Sequence, residues 1–228
     1  MAAYVLVHGA TAGGWIWSPV PEMLRRQGHT VYTPTLTGLG ERSHLLRPDI
    51  DLDTHITDIV NVFKFEDLHD IILVGHSYGG AVIAGVAERM PERIRRLIYL
   101  DALIPEDGQA VKDLYPHDTA ELLAAYIEAR GEGWRYPPPK PRGDPRFVDH
   151  PARTMFQALT RNNPQARAIP QAYIYCTDKS GAGPQHQGII GVAARVRADG
   201  WPFFELATGH HPMQTAPEDL VRILLSLL

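Results

Sequence analysis

The chain holds a single cysteine, Cys176, so no disulfide can form within it. Lysine and arginine form no long run and the net charge is −4, which argues against a nucleic acid or an anionic membrane surface as a partner. No apolar stretch approaches the roughly 20 residues that a membrane-spanning helix needs. The first apolar run begins at Ala3 or Tyr4, which leaves no space for a signal peptide. We therefore expect a cytoplasmic protein that binds a small neutral molecule.

The order of the apolar runs predicts an α/β fold. Segments of helical period separate six β-rich runs, "AYVLVHG", "HTVYTP", "DIILVGH", "RRLIYLDA", "QAYIYCTD" and "WPFFELATG". This alternation is typical of a mostly parallel sheet of about six strands flanked by helices. The 228 residues suit one domain, which we predict to span 1–228.

A long stretch, about 103–170, interrupts the alternation after the fourth predicted strand. It carries helical patterns at 119–130 and 152–161. A connection of this length inside a compact domain is usually functional. We therefore predict a helical lid inserted at this point.

A serine lies at the end of the third predicted strand. The run Ile71–Val74 is short, continuous and rich in β-branched residues, as in a strand covered on both faces. The segment "GHSYG" follows at 75–79, and a run of small residues of helical period comes next. The pattern G-x-S-x-G between a strand and a helix is typical of a nucleophile elbow, in which a sharp turn aims the serine into a cleft. The sequence therefore predicts Ser77 as a nucleophile.

A serine hydroxyl needs a base that removes its proton and an acid that orients the base. We expect both just past the carboxyl ends of parallel strands, in the chain order nucleophile, acid, histidine. Asp178 follows the fifth predicted strand, and His210 and His211 follow the sixth. Asp101, at the end of the fourth, is an alternative acid, although we favour a structural role for it at the start of the lid. The preferred acid is Asp178.

Five segments, taken in order, resemble the alpha/beta hydrolase superfamily, and within it the small esterases that include the plant methylesterases and the hydroxynitrile lyases. They are "LVHGATAGGWIW", "GHSYGG", "LIYLDALIPEDG", "YCTDKS" and "TGHHPMQTAP". The resemblance implies the alpha/beta hydrolase fold, with Ser77 as nucleophile, His210 as base and Asp178 as acid. His210 is preferred to His211 because the family's histidine stands seven residues before the proline that opens the last helix, here Pro217.

The oxyanion that forms when Ser77 attacks a carbonyl group needs preorganised donors. One is the backbone N–H of Tyr78, which follows the nucleophile, and the resemblance implies the N–H of Ala10 as the other. We expect two-step acyl transfer through an acyl-enzyme, without a cofactor. The sequence also has no metal-binding spacing of the H-E-x-x-H or cysteine-pair kind, so no metal is expected.

Two positions bear on the reaction. The resemblance implies that hydroxynitrile lyases carry a threonine where this chain has Gly9 and a lysine where it has His211. Neither lyase residue is present, so we predict hydrolysis of a carboxylic ester of a small, largely apolar molecule. Lactonase, thioesterase and carbon–carbon hydrolase activities use the same triad and stay open. A receptor that keeps the hydrolase fold without catalysis is a further alternative.

The substrate pocket and the assembly are less constrained by the sequence. We expect Trp134, Tyr126 and Phe156, together with His211, to contact the substrate. The apolar C-terminal run at 223–228 suits packing on the sheet or a dimer interface, and we favour the sheet. The protein is therefore expected to be a monomer or a homodimer.

Overall fold

The structure is a computed structural model, and it describes residues 1–138, 144–180, 183 and 186–228. Within these ranges the β-strands are β1 (Ala3–Val7), β2 (Thr30–Tyr32), β3 (Ile71–His76), β4 (Ile94–Leu100), β5 (Arg135–Tyr136), β6 (His150–Pro151), β7 (Gln171–Cys176) and β8 (Phe203–Leu206).

The α-helices in the same ranges are α1 (Val20–Arg26), α2 (Leu52–Phe65), α3 (Gly79–Arg89), α4 (His117–Gly131), α5 (Arg153–Phe156), α6 (Pro164–Ala168), α7 (His186–Ala198), α8 (Pro212–Thr215) and α9 (Pro217–Ser226). A capping box starts α2: the Asp51 carboxylate accepts from the Thr54 N–H at 3.0 Å, and the Thr54 hydroxyl oxygen accepts from the Asp51 N–H at 3.4 Å. Across the described ranges, no helix has both the length and the apolar character needed to cross a membrane.

In the described ranges, six strands form one parallel sheet in the order β2-β1-β3-β4-β7-β8. This confirms the predicted fold. The register places Val7 beside Gly75, His76 beside Leu100, and Leu100 beside Ile174. The residues that follow β1, β3, β4 and β7 therefore gather at the carboxyl edge of the sheet.

The sheet separates two hydrophobic cores, because successive side chains of a strand point to opposite faces. On β3, Leu73 packs into one core with α2 and α3, whereas Ile72 and Val74 pack into the other with α1 and α9. All three side chains are fully buried, as expected for a central strand of a parallel sheet. Leu224, in the apolar C-terminal run, is buried in the second core.

The segment between β4 and β7 contains α4, the antiparallel pair β5–β6, α5 and α6. Helix α4 covers the pattern at 119–130, but the predicted helix at 152–161 is α-helical only over α5. The backbone after α5 pairs with another loop instead: the Leu159 N–H donates to the carbonyl of Gln109 at 2.8 Å, and the Gly108 N–H donates to the carbonyl of Leu159 at 2.9 Å. This pairing buries Leu159, so tertiary contacts override the local helical pattern. That the segment acts as a lid stays a prediction.

Helix α3 begins in direct contact with the end of β1. A Cβ atom on Gly79 would lie 2.7 Å from the carbonyl oxygen of Val7 and 2.8 Å from that of His8. These distances are shorter than any van der Waals contact allows, so only glycine permits this approach.

We expect Gly79→Ala to lower the free energy of unfolding by about 1–3 kcal/mol, because the added methyl group forces the helix away from β1. Gly191→Ala, in α7, is the matched control, since a Cβ there meets no described atom within 4 Å. The control should be stabilised by up to about 1 kcal/mol through helix propensity. Urea unfolding measures both variants, and a Gly79→Ala protein as stable as the wild type would contradict the packing argument.

Four histidines are buried in the fold: His8, His55, His76 and His150 are each at most 1% exposed. Burial lowers the pKa of His8 and of His55 to about 4. Burial also lowers the pKa of His76 and of His150 well below the usual range. All four are therefore neutral at physiological pH.

The hydrogen bonds of two of these rings fit the neutral form. The Nδ1–H group of His8 donates to the carbonyl of Gly9 at 2.8 Å, and its Nε2 accepts from the Leu36 N–H at 3.1 Å. His55 donates through Nε2 to a backbone carbonyl and accepts the Tyr78 hydroxyl through Nδ1, both at 2.9 Å. Each ring thus has one donor and one acceptor, and a second proton would break a hydrogen bond.

We expect the free energy of unfolding to fall as the pH drops from about 6.5 to about 4. Unfolded histidines bind a proton near pH 6.5, whereas the folded His8 and His55 do so at about 4, so the unfolded state binds more protons in this window. Each histidine contributes at most about 1.4 kcal/mol per pH unit, and the full stability is present above the unfolded pKa.

Urea unfolding across this window tests the expectation. His55→Gln should remove one histidine's share of the slope, whereas His44→Gln, at an exposed position, should leave the slope unchanged. Equal slopes for wild type and His55→Gln would show that His55 is not buried in its neutral form.

Candidate active site

Ser77 lies in the turn between β3 and α3 with a φ of 55°, a conformation that residues with side chains rarely adopt. Its N–H donates to the carbonyl of Leu100 at 3.1 Å, and its carbonyl accepts from the Leu103 N–H at 3.0 Å. A Cβ on Gly75 would lie 2.6 Å from the carbonyl oxygen of Gly79, so the tight turn also requires glycine. This is the strand–turn–helix geometry that the G-x-S-x-G pattern predicts.

His210 lies in the loop after β8 and contacts Ser77. Its Nε2 atom is 3.0 Å from Ser77 Oγ, and its Nδ1 atom is 2.7 Å from Asp101 Oδ2. Since a carboxylate only accepts, Nδ1 carries the proton and Nε2 is free to accept the proton of the hydroxyl. The backbone is fixed as well, because the Nε2–H of His76 donates to the carbonyl of His210 at 2.6 Å. The geometry suits a base for Ser77.

The carboxylate that contacts His210 is Asp101, not the predicted Asp178. Asp101 directly follows β4 with a φ of 44°, and its N–H donates to the carbonyl of Ile174 at 2.7 Å. Its carboxylate is fully buried. Strand β4 lies beside β3, so the residue after β4 comes next to the residue after β3, which is Ser77.

Asp178 lies away from this contact and is exposed to solvent. Its Oδ1 atom accepts from the N–H and from the hydroxyl of Ser180, at 2.9 and 2.5 Å. Its own N–H donates to the carbonyl of Thr208 at 3.1 Å. Because β7 lies one strand farther from β3 than β4 does, this loop approaches the site from the far side of Asp101. The structure therefore corrects the predicted acid.

The residue after Asp178 reaches the site instead. Lys179 Nζ lies 2.7 Å from Oδ1 and 2.8 Å from Oδ2 of Asp101, and 4.4 Å from the centre of the Tyr175 ring. The sequence reasoning missed this lysine, because no pattern marks a cation as the partner of a buried acid.

The electrostatics of Asp101 combine two opposing effects. Burial alone would raise the pKa of its carboxyl group, but the hydrogen bond and charge of His210, together with the charge of Lys179, bring the pKa below its usual value. The backbone N–H of Cys176 also donates to Oδ1, at 3.1 Å. Asp101 is therefore ionised at neutral pH.

The two predicted oxyanion donors border the same cavity as Ser77. Ala10 lies in the loop after β1, and Tyr78 directly follows Ser77. Neither N–H donates to a protein acceptor in the described part of the chain. The β1 loop is fixed by His8, which donates to Gly9 next to Ala10. Both N–H groups are thus available to a ligand.

The cavity at Ser77 has a volume of about 60 Å³. Apolar and aromatic side chains from the segment between β4 and β7 form much of its wall, with a cluster of histidines beside Ser77. Among the described residues the lining side chains include Leu103, Tyr115, Leu123, Tyr136, Met155, His186, Ile189 and His211. A wall that is mostly apolar with a few polar groups beside Ser77 is typical of a site for a small, largely apolar group.

Of the residues predicted to contact the substrate, His211 lines this cavity, but Trp134, Tyr126 and Phe156 lie outside the wall that the described residues form. The Tyr126 ring packs against Tyr136 with centres 5.9 Å apart, so Tyr136 takes the inner position. Trp134 lies under the guanidinium group of its neighbour in the chain, and Phe156 is 37% exposed.

A group of potential metal ligands lies elsewhere, at the start of α4. The ligand atoms of His117, Asp118 and Glu121 fall within 4.8 Å of one another in the described chain, and all three side chains are exposed. These exposed side chains do not form a buried metal site, and none of them lines the cavity at Ser77.

Comparison with known proteins identifies the family. The model of the Alpha/beta hydrolase family matches residues 4–223. A carbendazim hydrolyzing esterase of Nocardioides sp. (strain SG-4G) is 52% identical over 116 residues, which are 51% of this chain and 48% of that protein. An alpha-hydroxynitrile lyase of Arabidopsis thaliana is 28% identical over 163 residues, 71% of this chain and 57% of that protein. The chain spans about half the length of these curated relatives.

A solved structure agrees with the fold. An extracellular alpha/beta-hydrolase from a Paenibacillus species, described as a structural and functional homologue of tobacco salicylic acid binding protein 2, superposes with a TM-score of 0.80 at 26% identity. The match covers 99% of this chain and 98% of that one. With the family match over nearly all of the sequence, this shows that the chain belongs to the alpha/beta hydrolase family.

Proposed function

We propose that the protein is a serine hydrolase that cleaves a carboxylic ester of a small, largely apolar molecule. The observation that carries this proposal is the hydrogen-bonded series of Ser77 Oγ, His210 and Asp101, with distances of 3.0 and 2.7 Å, at the wall of a cavity. A nucleophile, a base and an orienting carboxylate in this order are the parts of a catalytic triad. The similarity to a carbendazim hydrolyzing esterase supports the assignment.

Acylation begins when Ser77 Oγ attacks the ester carbonyl carbon and its proton passes to His210 Nε2. The imidazolium ion keeps its Nδ1–H bond to Asp101, whose negative charge stabilises it. The tetrahedral intermediate then breaks its bond to the alkoxy oxygen, which takes the proton from His210 Nε2 and leaves as the alcohol.

Deacylation repeats these steps with water. His210 Nε2 removes a proton from the water molecule as its oxygen attacks the acyl carbon bound to Ser77. Collapse of the second intermediate returns that proton to Ser77 Oγ and releases the carboxylic acid. No redox change occurs in either half. His210 Nε2 accepts and returns the proton in each half.

The N–H groups of Ala10 and Tyr78 are the donors for the oxyanion in both steps. Both border the cavity beside Ser77, and each such donor stabilises the transition state by roughly 3 kcal/mol. Since both donors belong to the backbone, the strained turn at Ser77 and the fixed β1 loop determine their positions.

The geometry at Gly9 disfavours cyanohydrin cleavage. A Cβ at Gly9 would lie 2.9 Å from Ser77 Cβ and 3.1 Å from His76 Nδ1, so this backbone has no room for the threonine of the lyases. His211 also lines the cavity where the lyases have lysine. Both observations favour hydrolysis over the lyase reaction.

We expect Asp101→Asn to lower kcat by about 10⁴ for a short-chain p-nitrophenyl ester, because the amide would hold His210 in the wrong tautomer. Ser77→Ala should lower kcat by about 10⁶. Asp178→Asn is the matched control: it removes an exposed carboxylate that does not contact His210, so its kcat should equal that of wild type. A loss in Asp178→Asn as large as in Asp101→Asn would reverse the assignment of the acid.

Carbendazim is a second candidate substrate, favoured by the 52% identity to a carbendazim hydrolyzing esterase over half of this chain. We expect carbendazim to slow the labelling of Ser77 by a fluorophosphonate probe, with the labelled residue identified by peptide mass spectrometry. Loss of carbendazim on chromatography then measures turnover. The same competition is then measured with a lactone, a thioester and a substrate of carbon–carbon hydrolases. The compound that slows labelling and is itself hydrolysed identifies the substrate class.

The receptor alternative makes a different prediction in this experiment. A folded protein that no fluorophosphonate labels, and whose melting temperature rises with a ligand that it does not convert, would contradict the serine hydrolase.

A further inference from the structure

A lysine ammonium group contacts the acid of the proposed triad directly. Lys179 Nζ donates to both oxygens of Asp101, at 2.7 and 2.8 Å, and its side chain is only 16% exposed. The Tyr175 ring packs against the ammonium group at 4.4 Å. The contact is therefore built into the fold, unlike an ion pair between two exposed side chains.

This lysine and His210 share one carboxylate oxygen. Asp101 Oδ2 lies 2.7 Å from His210 Nδ1 and 2.8 Å from Lys179 Nζ. A buried carboxylate beside an imidazole favours protonation of the ring, because the imidazolium ion is the only charge that can balance it. A second cation on the same carboxylate balances its charge, so the carboxylate stabilises a protonated ring less.

Two of the three histidines around His210, His76 and His186, do not supply this charge. His76, His186 and His211 have their ring centres 4.6, 4.8 and 5.1 Å from that of His210. Burial lowers the pKa of His186 to about 4 and lowers that of His76 well below its usual range. In the described chain, the titratable groups that face Asp101 or His210 are these three histidines with Lys179, Tyr173, Tyr175 and Cys176.

We propose that Lys179 is a positioning residue that sets the lower pH limit of the reaction: its charge on Asp101 keeps His210 able to accept the Ser77 proton in mildly acidic solution. The inference rests on the proposed function, with Asp101 as the acid. The same charge makes Asp101 a weaker partner for the imidazolium ion in the transition state. Lys179 therefore extends activity towards low pH instead of maximising the rate at high pH.

The test is the pH profile of kcat/KM, measured by pH-stat titration of ester hydrolysis, with circular dichroism at each pH to confirm the fold. In Lys179→Met the midpoint of the acid limb should move up by about one pH unit, because a charge of opposite sign next to Asp101 is lost. Lys179→Gln keeps a hydrogen-bond donor without the charge and should shift the midpoint in the same direction. Should the methionine variant not fold, the glutamine variant alone decides.

Two controls separate charge from packing. Lys179→Arg keeps the charge and should keep the wild-type midpoint, and Lys64→Met removes an exposed lysine on α2 and should change neither midpoint nor rate. A Lys179→Met or Lys179→Gln profile that loses rate evenly at every pH, with the wild-type midpoint, would show a merely structural lysine and overturn the proposal.

The Ser77→Ala variant distinguishes this failure from that of the proposed function. If Ser77→Ala is inactive and the Lys179 variants keep the wild-type midpoint, only the role of Lys179 is overturned. If Ser77→Ala keeps its activity, the triad is not the source of hydrolysis and both proposals fall.

Discussion

The arrangement of the site depends on one buried carboxylate, that of Asp101. A charge removed from water costs several kcal/mol unless hydrogen bonds and opposite charge compensate it. The ring of His210, the ammonium group of Lys179 and the N–H of Cys176 all donate to its oxygens. One charge thus connects the end of β4 with β7 and with the loops after β7 and β8. The hydrogen bond from His210 to Asp101 orients the His210 ring towards Ser77, and it also holds the loop after β8 in which His210 lies.

The opposite side of the site is held by neutral groups. Tyr78, which follows the nucleophile, donates its hydroxyl to His55, and its ring contacts that of His150 at 4.7 Å. His150 in turn donates to the hydroxyl of Thr154 at 2.8 Å, so the segment between β4 and β7 is tied to the elbow. Both ring nitrogens of each histidine are hydrogen-bonded to groups other than carboxylates. What separates His210 from them chemically is its contact with Asp101.

The sequence could predict the sheet, because β-rich runs alternate along the chain with segments of helical period. Ser77 and His210 were also predictable, since a motif and a spacing mark them. The carboxylate that contacts His210 was not, because Asp101 and Asp178 both follow strands and only the sheet order shows that β4 lies next to β3. The cavity wall was harder still: which of two nearby aromatic residues, Trp134 or Tyr136, faces inward depends on contacts across the segment and not on local pattern.

The pair Asp178–Lys179 explains why Asp101, and not Asp178, contacts His210 in this fold. The loop is fixed with Asp178 facing solvent, where its carboxylate accepts from Ser180, and with Lys179 turned towards Asp101. If the loop turned to bring Asp178 to His210, two carboxylates would lie beside one imidazole and the ammonium group would leave. Two carboxylates at such a short distance repel each other, so one of the two carboxyl groups would have to take up a proton. The observed loop avoids this, because it leaves Asp101 paired with His210 and Lys179 and leaves Asp178 exposed to solvent.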